Sequence, residues 1–378
     1  MKKKLLMCYH SAEYGGVEKQ ILDIIRGLSK EIDITVVCPN GPYVKDYLEA
    51  GAVNHLELSP KFEADFSYVF KVYKYLKENN IDVIHSHELK AGSLATFAGW
   101  LARVDKRIYH VHTPFSQWKY SSAKRIPALF INTIVNAIVG NIFATDVIAL
   151  TETIKEIRIK KEFILPRKIT VIPNGVDLKE YKILPISRDE YRKKLNIEKG
   201  TFLIGNMGRF TQEKGHEYFI KAFEMLVNDE EIKSFNIKLL LAGGGILLNE
   251  MKTLVKKLGI EDKVIFTDRF EDEDKISLLN SMDLFVFPTY AEGFGIVLIE
   301  AIACGVPVLS SDLDVLKDVG QDAIFYFKTG DTNDLHHNLK LLVLDKVKRE
   351  KKVKRAIDRA NDFSIEKLWN YYRKLYNI

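Results

Sequence analysis

What most constrains this chain is an alternation that runs almost its whole length. Short, nearly all-apolar runs are separated by longer stretches with helical spacing. In the first half the runs fall at residues 5–9, 34–38, 53–58, 82–85, 107–112, 147–150 and 169–172. Helical patterns lie between them at 17–28, 68–78, 91–101 and 126–145. Strands that are apolar throughout, rather than every second residue, belong to sheets with both faces covered. Strand–helix alternation of that kind predicts a doubly wound parallel sheet. The segment Ile172-Pro173-Asn174-Gly175-Val176-Asp177 interrupts the pattern with turn residues, and a charged stretch containing Pro185 follows. The alternation restarts at Thr201, with strands at 202–205, 238–242, 264–267, 284–288 and 307–310 and helices at 216–226, 247–258 and 295–303. The expected fold class is therefore α/β, two Rossmann-like domains in tandem facing across a cleft, with residues 1–180 in the first and 181–361 in the second. A helical, aromatic-rich pattern at 364–375 closes the chain.

Composition narrows the classes of protein. The 378 residues hold three cysteines, Cys8, Cys38 and Cys304, with no CxxC pair. A disulfide scaffold is excluded, a thiolate zinc site is not expected, and a reducing cytoplasmic setting is. Lys2-Lys3-Lys4 precedes an apolar run at 5–9, shorter than the roughly 7–15 residues of a secretory core, so the run reads as a first strand. Residues 126–145 carry no charge, but Asn132, Asn136 and Gly140 recur at helical spacing. That polar stripe predicts a core helix buried on its other sides, with membrane-surface contact and a membrane span as the alternatives. Residues 90–168 carry 13 Lys and Arg against five Asp and Glu. Such a surface suits solvent, an anionic membrane or a phosphate-bearing substrate. No nucleic-acid motif accompanies it.

The strongest chemical signal is the segment 288–301, where a strand end runs into Glu292, Gly293, Phe294 and Gly295, then a helix carrying Ile296, Val297 and Glu300. Glycines let a ligand approach the backbone, and a helix start offers free N–H groups to a phosphate. Glu300 is placed to accept hydrogen bonds from a diol such as ribose. A second signal is Arg209 with Lys214, two cations on the loop after strand 202–205. They suit a diphosphate that gains charge as it leaves. Gly15-Gly16 after the first strand departs from the dinucleotide fingerprint and reads as a turn that opens space for a ligand. Gly243, in a Gly-Gly-Gly strand end, is placed to approach the nucleotide through its backbone. His85 and His87, then His110 and His112, sit at two strand ends with each pair on one face. Four imidazoles could bind a metal, but no carboxylate pattern supports that. His112 is expected to hydrogen-bond a polar substrate. The tripeptides 272–274 and 312–314 read as helix-start acids rather than metal–nucleotide motifs.

Together, Gly15-Gly16, His112, Thr151-Glu152, the 172–177 segment, Arg209 with Lys214, and Glu292 with Glu300 resemble the GT-B glycosyltransferases of family 4, also called group 1. The resemblance runs nearly the whole chain. It implies that the second domain binds a nucleotide-sugar and the first the acceptor; a UDP-sugar is the expected donor and a glycan or lipid-linked molecule the expected acceptor. His112, Arg209, Lys214 and Glu292 would carry catalysis. Gly15, Gly16, Gly243, Phe294, Gly295, Ile296, Val297 and Glu300 would bind substrate. No metal or other cofactor would be required, and configuration at the sugar would be retained. The helix at 362–378 would pack back on the first domain. The expected setting is cell-envelope polysaccharide or glycolipid synthesis, in the cytoplasm or peripherally at the inner membrane face. A nucleotide-sugar epimerase or hydrolase on the same fold is the alternative, with a sugar-nucleotide sensor and a histidine metalloenzyme behind it.

Overall fold

The structure, a computed structural model, describes residues 2–13, 15–114, 126–267 and 272–378. It divides into two compact units, Met1–Gly175 with Ile365–Ile378, and Val176–Ser364. Each is a parallel sheet covered by helices.

The first unit has seven strands: β1 (Lys3–Cys8), β2 (Ile32–Cys38), β3 (Asn54–Glu57), β4 (Val83–His87), β5 (Lys106–His110), β6 (Asp146–Ala149) and β7 (Ile169–Val171). Their order is β3-β2-β1-β4-β5-β6-β7, all parallel, with Leu5 paired to both Ile34 and Val83. Leu5 and Leu6 are fully buried on opposite faces, each in its own apolar cluster. The continuous apolar runs of the sequence reflect this two-sided covering. Helix Gly16–Leu28 buries Ile21, Ile24, Ile25 and Leu28, one stripe at helical spacing. The terminal helix Ile365–Tyr376 lays Ile365, Leu368, Tyr372 and Tyr376 into the same cluster. Trp369 Nε1 fastens it by donating to Asp23 O at 2.7 Å.

The second unit has six strands: β8 (Phe202–Met207), β9 (Ile237–Ala242), β10 (Val264–Thr267), β11 (Leu284–Phe287), β12 (Val308–Ser311) and β13 (Phe325–Phe327). Their order is β10-β9-β8-β11-β12-β13. Its core joins Phe219, Phe223 and Leu226 of helix His216–Val227 to Leu239, Leu241 and Val286 of the sheet. Strand β13 and helices Thr332–Leu344 and Lys346–Ala360 complete it. Of the tripeptides read as helix-start acids, 272–274 opens helix Asp272–Ser281 and 312–314 runs into helix Asp314–Gly320.

Helix Ile126–Ile138 corrects the sequence reading. Its polar stripe faces inward, and its apolar side faces out. Asn136 is fully buried and donates to Glu162 Oε2 at 2.8 Å. Glu162 is itself paired with the fully buried Arg158 at 2.9 Å. A buried ion pair needs further polar partners, so the asparagine is drawn inside. Phe130, Ile131, Ile134, Ile138 and Ile142 are left exposed. No helix of the described residues is long and apolar enough to cross a membrane.

The docking of the terminal helix can be tested at Gly27, where a Cβ would overlap the Trp369 indole. Gly27→Ala is expected to cost about 1–3 kcal/mol in chemical denaturation, as overpacking does. An unchanged midpoint would contradict this packing.

Candidate active site

In the second unit the chain direction across the sheet reverses between β8 and β11. Ligands of open α/β sheets bind at such a reversal, beyond the carboxyl ends of the strands. The loops that follow these two strands carry the strongest signals of the sequence. They are tied together by Thr289 Oγ1 and Tyr290 N, which donate to Glu213 O at 2.9 and 2.7 Å. Lys214 Nζ forms an ion pair with Glu292 across them, the two side chains being 20% and 13% exposed. Lys214 also lies 5.7 Å from the centre of the Phe287 ring. Arg209 is exposed and has no ion pair among the described residues. A fixed cation and an uncommitted one therefore share a single loop.

Gly295 precedes helix Ile296–Ala303 with φ 84°, and a Cβ there would stand 2.9 Å from Leu316. Glycine is required by both the backbone and the packing. Phe294 is buried edge-on against Phe363, with ring centres 5.5 Å apart. Ile296 and Val297 carry the leading N–H groups of the helix, for which a helix supplies no partner. Glu300, on the same helix, is 1% exposed. Its Oε1 pairs with Lys275 Nζ at 2.6 Å, whereas its Oε2 is buried without a hydrogen-bond partner. An unmet buried acceptor of this kind costs about 1–3 kcal/mol until a donor reaches it. Nothing in the sequence singled out Lys275, which lies mid-helix in Asp272–Ser281. Gly243, after β9, rests against the backbone of Gly208, so the loops after β8 and β9 are stacked directly. His216 stacks on Phe210 at 4.2 Å, and burial together with Lys214 pushes its pKa down to about 4.

In the first unit the reversal falls between β1 and β4. Gly15 caps the helix after β1, and a Cβ on Gly16 would meet nothing within 4 Å. Among the described residues Gly16 therefore borders open space. Ser11 Oγ donates to Glu18 Oε1 at 2.6 Å beside this turn. His112 is buried, and its backbone N–H donates to Glu88 Oε1 at 3.1 Å. Sequence reasoning missed Glu88, the residue immediately after β4. Its φ of 63° and ψ of 167° fall in a region that is essentially glycine's alone, at a cost on the order of 1–3 kcal/mol. Burial pushes its carboxyl up to about 7.

The four histidines gather as their spacing foretold. His110 and His112 stack at 3.9 Å, and His85 lies 7° from parallel with His110. His85, His87 and His110 bring ring nitrogens within 4.8 Å of one another. His87 is tilted from His85 by 32° and from His110 by 39°, so the three rings are not a single parallel stack and their nitrogens could hold a metal ion. His85 Nδ1 bonds the Tyr376 hydroxyl at 2.8 Å, and His87 Nδ1 bonds His112 Nε2 at 3.1 Å. Burial holds His85, His110 and His112 well below 6.5 and His87 at about 3. These imidazoles stay neutral in the fold and must charge on unfolding in acid. Their stabilising effect is complete above pH 6.5 and declines as pH falls toward the folded values. Denaturant midpoints measured from pH 7 to pH 4 should therefore fall steadily. His110→Phe, which removes a ring with both nitrogens unpartnered, should flatten that slope.

Comparison with known proteins agrees with this architecture. A family model described as Glycosyl transferases group 1 matches residues 187–360, and one described as Glycosyltransferase Family 4 matches residues 14–180. The chain belongs to the GT-B glycosyltransferases of family 4. It is 27% identical to the Escherichia coli UDP-Gal:alpha-D-GlcNAc-diphosphoundecaprenol alpha-1,3-galactosyltransferase, over 76% of this chain and 73% of that one. It is 28% identical to the Staphylococcus aureus capsular polysaccharide biosynthesis glycosyltransferase CapM, over 92% and 90% of the two chains. The crystal structure of Anabaena HepE in complex with UDP and glucose shares the fold, with a TM-score of 0.85 at 22% identity over 98% of both chains.

Proposed function

We propose that this glycosyltransferase moves a hexose or N-acetylhexosamine from a UDP-sugar to a hydroxyl acceptor with retained configuration, in cell-envelope polysaccharide or glycolipid synthesis. The observation that carries the reading is the pair of cations on the loop after β8, one held by Glu292 and one uncommitted. A UDP leaving group gains negative charge as the sugar–phosphate bond breaks. Arg209 and Lys214 would meet that charge where it develops, the task a divalent ion performs elsewhere, so no metal is needed. The leading N–H groups of Ile296 and Val297 would receive a phosphate. Glu300 Oε2, buried and unmet, would accept from a ribose hydroxyl. Glu292 would orient Lys214 and accept from a sugar hydroxyl. The acceptor oxygen would bond to the anomeric carbon on the face that UDP leaves, its proton passing to the departing phosphate oxygen. Relatives bearing UDP, or named for a diphosphoundecaprenol acceptor, support this choice of donor and acceptor.

Lys214→Ala should lower turnover by about 10²–10³-fold, the usual loss on removing a preorganised donor to developing charge, and Glu292→Ala, which removes the carboxylate that holds Lys214, should lower turnover in the same direction. Each should keep the parent melting midpoint. Full activity in both would overturn the assignment. Proton NMR of the product should show the donor's anomeric configuration. A free sugar or a new epimer formed without acceptor would favour the hydrolase or epimerase reading.

A lipid-linked acceptor brings the chain to the inner membrane face, and the outward apolar stripe of helix Ile126–Ile138 supports that placement. Phe130 is 67% and Ile131 58% exposed there. The basic residues Lys119, Lys124 and Arg125 of the same region lie outside the described residues. The parent protein should float with anionic vesicles, and Ile131→Glu with Ile138→Glu should abolish flotation. A parent that stays at the bottom of the gradient would contradict this placement.

A further inference from the structure

The residue after β4 has no role in anything described so far. Glu88 stands at the β1/β4 reversal of the first unit, the position where its sheet is open to a ligand. The second unit carries its own glutamate, Glu292, on the loop after β11, the strand across its own reversal from β8. Each unit thus offers a carboxylate beyond the strand on the far side of its reversal.

The backbone at Glu88 is the second observation. The other left-handed residues of this unit include Asn80 and Phe163, which close helices in the ordinary left-handed basin. Glu88 precedes helix Leu89–Leu101 instead, with ψ at 167°. A glycine would sit there without strain. A carboxylate kept in such a conformation points to a use for its side chain. The third observation is its surroundings. One carboxylate oxygen is held by the His112 N–H at 3.1 Å, and no other hydrogen bond to the side chain is present among the described residues. Arg158 and Glu18 act on it electrostatically. His112 and His87 stack beside it, and Lys90 follows on its own helix. His10, at the end of β1, has a buried Nδ1 without a partner. Hydroxyl groups of a sugar suit this mixture of acceptors and donors better than a phosphate or an apolar tail does.

We infer that Glu88 positions a hydroxyl of a polyhydroxylated acceptor at the β1/β4 reversal of the N-terminal unit. The inference rests on the transferase reading above and on the acceptor binding to this unit. Glu88 fixes His112 through one carboxylate oxygen and presents the other to the acceptor.

Glu88→Gly separates this role from a structural one, because it relieves the backbone while removing the carboxylate. UDP release would be followed with UDP-glucose, UDP-galactose or UDP-N-acetylglucosamine as donor and p-nitrophenyl hexosides as acceptor probes. Glu88→Gly should keep or raise the melting midpoint, keep the thermal shift given by UDP, and raise the hexoside KM more than tenfold. Glu88→Gln, which preserves hydrogen bonding, should recover most of that loss. A Glu88→Gly variant with a hexoside KM within twofold of the parent would overturn the inference. So would one that loses stability or its UDP shift along with transfer. A parent that binds UDP but shows no saturable response to any hexoside would count against a sugar site at this position. A parent that gives no UDP shift would instead contradict the donor assignment in the other unit.

Discussion

Parallel strands all run the same way, so every connection must cross back over a face of the sheet. The faces fill with helices, and the loops at one end of the strands remain the open place for chemistry. In each unit that requirement concentrates polar residues at a single reversal of strand order. Arg209, Lys214 and Glu292 mark one, and Gly15, Gly16, Glu88 and His112 mark the other. The rest of the molecule holds these loops still. Apolar strands such as Leu284–Phe287, buried at every residue, fix where the loops begin. Bonds from Thr289 and Tyr290 to Glu213 O then fix the loops to one another.

Electrostatics separates the two sites. The second unit keeps a cation in place with a partner and leaves another exposed, an arrangement that favours an incoming anion. The first unit buries neutral histidines around a carboxyl held above its usual range. That environment is poorly suited to a diphosphate and well suited to neutral hydroxyl groups. On the proposed function, the division of labour between donor and acceptor would follow from charge and burial rather than from fold, which the two units share.

Much of this was legible in the sequence, and what was missed has physical causes. The all-apolar runs located twelve of the thirteen strands of the described residues, because two-sided burial leaves a strong local signature. Strand β13 was not read from the sequence, and helix Lys346–Ala360 is mostly charged, so it did not stand out. The uncharged stretch was read as helical, as found, but its buried face was reversed. The partner that draws Asn136 inward is Glu162, 26 residues away. Turn glycines and loop cations could be placed from their position after a strand. Lys275 and Glu88 could not, because one depends on helix-to-helix pairing and the other on a backbone angle.

The central claim is that the second unit binds a UDP-sugar through the Arg209–Lys214 loop without a metal. Calorimetric titration of UDP into the protein in excess EDTA tests it most directly. The account predicts saturable one-to-one binding in EDTA, weakened at least tenfold by Arg209→Ala and unchanged by added magnesium. Binding that appears only with a divalent ion, or that is indifferent to Arg209, would contradict it.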